Sequence, residues 1–449
     1  MSLIAVLFYA VATVIAALLA VGISFLAIWA CTSAIGGAVL LLATVVLETA
    51  SMTPLAMRFG LVLYIPDLIS AVLVLALVYR VAFLGKGRQI PLAWWLLGVV
   101  QAGLFVWGLV KYGTGSGVDY RQHFYVWVGG AYFATFENSI DLSTRWLRLF
   151  IPVAVALSGI AAYRWARGAL DWQFQRELDS LVTTGIDYRV IWSNPTLIIA
   201  MAMLICVHLA TTARRVPGYW VLAMMFASVV VVLQHRSVWI SAMGGLLTFV
   251  YVGRYQRVAH FPRLSAILVC LAAALVLTVA GLKGPSESIT AQALRAVSSS
   301  GTFAGRVSGW RSLLTDWLSS RSPITYAVGK PFGSGYTRYS EKGTAVSYQP
   351  HNYYVHLLYR GGLVGLACFL WIAIAGGKSI WQALRRGEPN ASIHLALVVA
   401  LLLYYVPYAV NYDHAILLGL LLHGMARERA TADSAGSRHL PVQHGIAQT

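Results

Sequence analysis

No charged side chain occurs before Glu48, and apolar runs of similar length recur from there to residue 426. A helix needs about 20 apolar residues to cross about 30 Å of hydrocarbon. In lipid such runs must be helical, because the backbone has to satisfy its own hydrogen-bonding groups. The composition agrees, with 59% of residues hydrophobic and 11% charged, far from the balance of a soluble domain. The fold class expected is all-α: a polytopic membrane protein.

Spans are expected near residues 3–21, 23–47, 61–83, 91–110, 124–137, 146–165, 196–212, 217–233, 238–253, 263–282, 352–376, 393–411 and 413–426, about twelve to thirteen in all. The apolar start is too long for a signal peptide and has no basic leader, so it is expected to remain in the mature chain. Lys and Arg in short connections mark the cytoplasmic side. They cluster at Arg80, Lys86 and Arg88; Arg145 and Arg148; Arg214 and Arg215; Arg254, Arg257 and Arg263; and Lys378, Arg385 and Arg386. Two spans separate each cluster from the next. The intervening connections, including 166–195 and the long segment Lys283–Pro350, therefore fall outside the cytoplasm. This divides the chain into a helix bundle (1–282), a periplasmic loop domain (283–350), carboxy-terminal spans (351–426) and a polar, disordered cytoplasmic tail (427–449).

The formal charge of +17 sits mostly at membrane edges, where anionic lipid and the orientation rule account for it; nucleic acid is not an expected partner. Cys31, Cys206, Cys270 and Cys368 fall inside predicted spans without paired spacing, so they read as small core residues. No Asp-x-Asp pair on the outer side and no helical His-Glu-x-x-His is present, and no metal or other cofactor is expected.

The 283–350 segment is too long for a plain connection. Within VSGWRSLLTDWL, residues Val307, Trp310, Leu313, Leu314, Trp317 and Leu318 follow helical spacing, which predicts an amphipathic helix lying at the membrane surface. Pro331 with Gly329, Gly333 and Gly335 then predicts a tight turn. The segment ends in SYQPHNYYVHLLYRGGLVGL. Its Pro350 and the helical run that follows place His351 in the first turn or cap of a helix, where the positive end of the helix favours a neutral imidazole able to accept a proton. Asn352 is expected to cap the helix or hold the ring. His356, about 140° around the helix, is expected to face packing or headgroups.

Arg236, where a connection enters an apolar span, and Arg306, at the opening of the amphipathic helix, lie on the same predicted side as His351. Guanidinium forks onto phosphate oxygens and sheds water more readily than ammonium, which suits a diphosphate near a membrane; contact with lipid headgroups is the plainer alternative. Lys330, Arg338 and Arg311 are expected to add positive field or to be solvated. Asp67, behind Pro66 in a predicted span, is costly unless paired or in a wet cavity, and it is the one hint of a transporter or flippase for lipid-linked sugars. Asp413 and His414 are expected either to cap a turn or to help bind an acceptor.

QPHNYYVHLLYRGGLVGL resembles the His-Asn-x-x-x-x-x-Leu-x-x-x-Gly-x-x-Gly pattern of the O-antigen ligase and O-antigen polymerase superfamily of bacterial membrane glycosyltransferases. HRSVW, GRVSGW and GKPFGSGY add to the resemblance, in the same order, across about 230–370. The resemblance implies a metal-independent, GT-C-like transfer of a glycan from undecaprenyl diphosphate to an acceptor glycan, either lipid A core or a growing polysaccharide. The active site would face the periplasm at the inner membrane. It further implies that Arg236 and Arg306 bind the diphosphate and that His351 activates the acceptor, with Asn352, Lys330, Arg338 and Arg311 as supporting positions.

Overall fold

The computed structural model describes residues 14, 21–22, 24–51, 56–59, 61–136, 139–170, 190–212, 217–253, 300–339, 345–347 and 349–437. The described chain is helical apart from two short hairpins. Its longer helices are α1 (Ala34–Ser51), α2 (Ile65–Val78, continued by a π turn, Tyr79–Phe83), α3 (Leu92–Tyr112), α4 (Gly115–Ala134), α5 (Ser139–Leu170), α6 (Ser193–Thr212), α7 (Gly218–Val232), α8 (Arg236–Gly253) and α9 (Ser300–Ser319). After the short α10 (Pro323–Val328) come α11 (Tyr353–Arg385), α12 (Ala391–Tyr404) and α13 (Ala415–Ser437). Six of the described helices are long and apolar enough to cross a membrane, spanning 34–51, 65–83, 92–112, 145–168, 193–212 and 353–385. The chain is a multi-pass helical membrane protein. Expected spans 3–21, in all but residues 14 and 21, and 263–282 lie outside the described residues, as do Arg214, Arg215 and Arg254 to Arg263.

Several expected spans differ in detail, each for a local reason. The run 23–47 is broken at Ser33, where the Tyr132 hydroxyl donates to the carbonyls of Ala30 at 2.7 Å and Ser33 at 2.9 Å. A side chain thus satisfies carbonyls that a continuing helix would have used. The run 61–83 begins as an antiparallel hairpin, Ala56–Phe59 with Leu61–Tyr64, and turns helical only at Ile65. Asp67 caps that helix by accepting from the Tyr64 amide at 2.7 Å. The same carboxylate is paired with Arg121 at 3.1 Å and accepts from the Tyr125 hydroxyl, so its charge is compensated at a helix start and serves the fold. The run 393–411 stops being helical at Tyr404, where Pro407 cannot donate to a continuing helix. At the other end, α13 continues to Ser437 and takes in the first eleven residues of the expected tail.

Arg80 also departs from expectation. It is buried and donates to the Thr135 hydroxyl at 2.7 Å, the Thr135 carbonyl at 2.9 Å and the Cys31 carbonyl at 3.1 Å, with Phe136 3.5 Å below its guanidinium. It fastens α2 to α4 and does not face lipid headgroups. α3 and α4 are locked by reciprocal indole bonds, Trp94 to the Trp127 carbonyl at 3.0 Å and Trp127 to the Trp94 carbonyl at 2.8 Å. That hairpin is the wall on which the turn after α10 rests.

Candidate functional site

The turn begins at Gly329 and is drawn inward by α11. Arg360 is fully buried, and its guanidinium donates to the Pro331 carbonyl and Ser334 hydroxyl, both at 2.5 Å, and to the Gly335 carbonyl at 3.1 Å. Its charge is met by Asp119 of α4 at 2.6 Å. Asp119 also accepts from the Gly333 amide at 3.0 Å and from the Tyr336 hydroxyl. Tyr336 reaches His356 at 2.6 Å, His356 meets His123 at 3.2 Å, and His123 meets Gln101 at 3.0 Å. His356 therefore faces a buried polar chain and not headgroups. A buried ion pair survives only when its remaining donors and acceptors are also satisfied, and here the turn's own carbonyls do this. The fold makes room for the turn at Gly362, whose φ of +60° breaks α11 and which packs against the Ala327 carbonyl.

From this anchored turn the chain emerges at Arg338. Its side chain is buried, bonds to the Tyr336 carbonyl at 3.2 Å, and lies across α9 where a Cβ on Gly309 would meet it at 2.8 Å. α9 is helical as expected, although it begins at Ser300, so that Arg306 stands in its second turn. Leu313 and Trp317 pack inward with Tyr336 and Tyr359, whereas Leu318 points outward at 60% exposure and is not part of the buried face.

His351 stands one position before the cap of α11, outside the first turn or cap expected of it, because Asn352 takes the cap. Asn352 is the cap, accepting from the Val355 amide at 3.0 Å; of the two expected roles, capping is the one seen. His351 lies in the field of Arg306 and Arg338, and burial, reinforced by these two cations, lowers its imidazole to about 4. Arg306 acts electrostatically on Arg236 as well. Arg236 is the first residue of α8, two positions after Gln234, which holds a left-handed φ of +53°, a conformation that costs a non-glycine residue about 1–2 kcal/mol. Arg306 thus acts electrostatically on both Arg236 and His351, and Arg338 also acts on the imidazole.

The other expected residues are placed differently. The Lys330 ammonium is bound to Asp316 at 2.6 Å and lies 5.3 Å from the Tyr359 ring centroid. Its charge is met locally. Arg311 is exposed on α9. Asp413 accepts from Asn194 at 3.0 Å, while His414 accepts from the Asn411 amide at 3.0 Å and donates to Asn194 at 2.7 Å. Both are buried and hold the turn before α13. No group of three or more His, Cys, Asp or Glu side chains suited to a metal occurs among the described residues.

One participant carries no sequence signal. Tyr408 lies in a turn that hydropathy alone assigns to a span. Arg306 rests 5.1 Å from its ring centroid and donates to the preceding Pro407 carbonyl at 3.3 Å. His351 meets the same ring edge-on at 6.1 Å. Asp119 and Arg360 did carry a signal: Arg360 is the lone Arg, Lys, Asp or Glu between Tyr353 and Gly377, and a charge inside an apolar span calls for a partner.

Residues 220–370 match the family model described as O-antigen ligase. Over that segment the chain is similar to the O-antigen ligase family. The matched segment contains Arg236, Arg306, Arg338 and His351, whereas Asp119 and Tyr408 lie outside it. No curated protein matches the chain.

Proposed function

We propose that this chain transfers a glycan from undecaprenyl diphosphate to a sugar hydroxyl of an acceptor glycan, at the periplasmic face of the bacterial inner membrane. The acceptor oxygen attacks the anomeric carbon and forms the new glycosidic bond. The bond from that carbon to the lipid diphosphate breaks, and the diphosphate departs with the electron pair. His351 takes the hydroxyl proton as the oxygen attacks. Arg236 and Arg306 grip the departing diphosphate, whose charge grows as the bond breaks, in the manner of a preorganised electrostatic clamp. Arg338 adds positive field beside them. Asn352 fixes the helix start behind the imidazole, and Lys330 and Arg311 stand at the periphery of the donor region. The donor is already activated, so this reading calls on neither nucleotide nor metal.

The observation that supports the reading is that Arg306 and His351 lie against the same Tyr408 ring, with Arg306 acting electrostatically on both Arg236 and His351. A cation pair beside a neutral imidazole is what an anionic leaving group and a hydroxyl nucleophile require. The pairing of Asp67 with Arg121 removes the feature that suggested transport. The test is His351→Ala, assayed with a lipid-diphosphate-linked glycan after verifying normal membrane insertion. Loss of transfer is the expected result, and wild-type transfer would reject the role.

A further inference from the structure

We propose that Tyr408 is a positioning residue that sets Arg306 and His351 at their working separation. This rests on the roles assigned to those two residues above.

Three kinds of contact converge on Tyr408. Its ring carries the Arg306 guanidinium at 5.1 Å and meets His351 edge-on at 6.1 Å, so one rigid plane touches both groups. Its hydroxyl lies in the electrostatic reach of Arg306, Ser237 and Ser193; Ser237 follows Arg236 in the chain, and Ser193 opens α6. Its carbonyl accepts from the Tyr353 amide at 3.1 Å, pinning the start of α11 two residues beyond His351. α6, α8, α9 and α11 therefore meet at a single side chain and its backbone. The ring's other neighbour is Tyr404, stacked at 4.9 Å with an interplanar angle of 14°, and Tyr404 is fixed in turn by Ser193 at 3.0 Å. Tyr408 is held from behind, which is what a support needs.

The arrangement answers a mechanical problem. An arginine side chain has many rotamers, and catalysis gains only when its fork already points at the place where charge develops. A cation over an aromatic face loses little binding strength while gaining direction. Burial pushes the Tyr408 phenol up, but Arg306, Ser237 and Ser193 draw it below its ordinary value; the hydroxyl is electronically engaged with the arginine it supports.

The test uses the full chain in lipid nanodiscs, with Tyr408→Phe and Tyr408→Leu assayed beside His351→Ala, and inorganic pyrophosphate as a competing anion. Tyr408→Phe keeps the ring and loses the hydroxyl that interacts with Arg306. It is expected to weaken pyrophosphate inhibition about threefold or more while retaining most of kcat. Tyr408→Leu removes the plane and is expected to lower kcat at least about tenfold and to weaken pyrophosphate further, and the recovery of kcat in the Phe variant marks positioning by the ring. If Tyr408→Phe matches the wild type in both pyrophosphate inhibition and transfer, or if the Leu variant loses transfer through unfolding while the Phe variant is unchanged, the proposal is overturned. An inactive His351→Ala with an unaltered Tyr408→Phe defeats only this proposal; an active His351→Ala defeats the reading beneath it.

Discussion

Arg360 of α11 and Asp119 of α4 are joined at 2.6 Å in the interior of the protein, with the turn Gly329–Tyr336 bound to both partners. The pair does not touch the candidate site. It fixes the turn that leads into Arg338, whose charge acts on His351.

Asp119→Asn retains the side chain's shape but leaves the Arg360 charge uncompensated. Removing one partner of a buried pair costs roughly 3–5 kcal/mol, and the expected result is a clear drop in the thermal unfolding temperature of the detergent-solubilised protein, accompanied by slower transfer. An unchanged unfolding temperature would show that the pair does not hold the turn.

Gly362→Ala and Gly361→Ala form a matched comparison. Gly362 has φ +60° and abuts the Ala327 carbonyl, while a Cβ on Gly361 would meet nothing within 4 Å. The first substitution imposes a left-handed backbone on alanine, at about 1–2 kcal/mol before any clash; the second is expected to be neutral or slightly stabilising. Equal unfolding temperatures for the two variants would contradict the kink.

His351 supplies a pH signature. Burial, then Arg306 and Arg338, lower its imidazole to about 4, against about 6.5 in the unfolded chain. Between these values the unfolded chain binds the proton that the folded chain refuses, so stability falls as pH drops through this window and the contribution is complete above about 6.5. His351→Gln is expected to flatten that part of the stability curve, as measured by denaturation at pH 4 to 7. A bound diphosphate would offset the guanidinium field and raise the imidazole. The acid limb of kcat is therefore expected at higher pH than that of kcat/KM, since the two report the complex and the free enzyme. An acid limb of kcat at equal or lower pH would place the diphosphate away from His351.

Local patterns singled out Arg236, Arg306 and His351 as candidates, because each is a polar group at the edge of an apolar run and its cost is visible in one dimension. The helix caps were equally legible, as at Asn352. Tyr408 was not, since a tyrosine within LLLYYVPYAV raises no local conflict; its meaning comes from α6, α8, α9 and α11 converging on it, which no window of sequence contains. Ser33 failed for a similar reason, its helix break being satisfied by Tyr132 from another helix. Lys330 shows the reverse case. It looked available to a ligand, and its partner Asp316 was in plain sight on α9, but only the fold brings them to 2.6 Å.

The Phe332 amide bonds to the Leu104 carbonyl at 3.4 Å, and Phe332 is wholly buried where Gly108 of α3 leaves space for its backbone. The turn is consequently a wedge driven between helices and not a detachable surface module. Grafting this segment between relatives to exchange specificity would transplant only half of a lock: a working chimera has to import the recipient wall, Gly108 and Asp119 included, along with it.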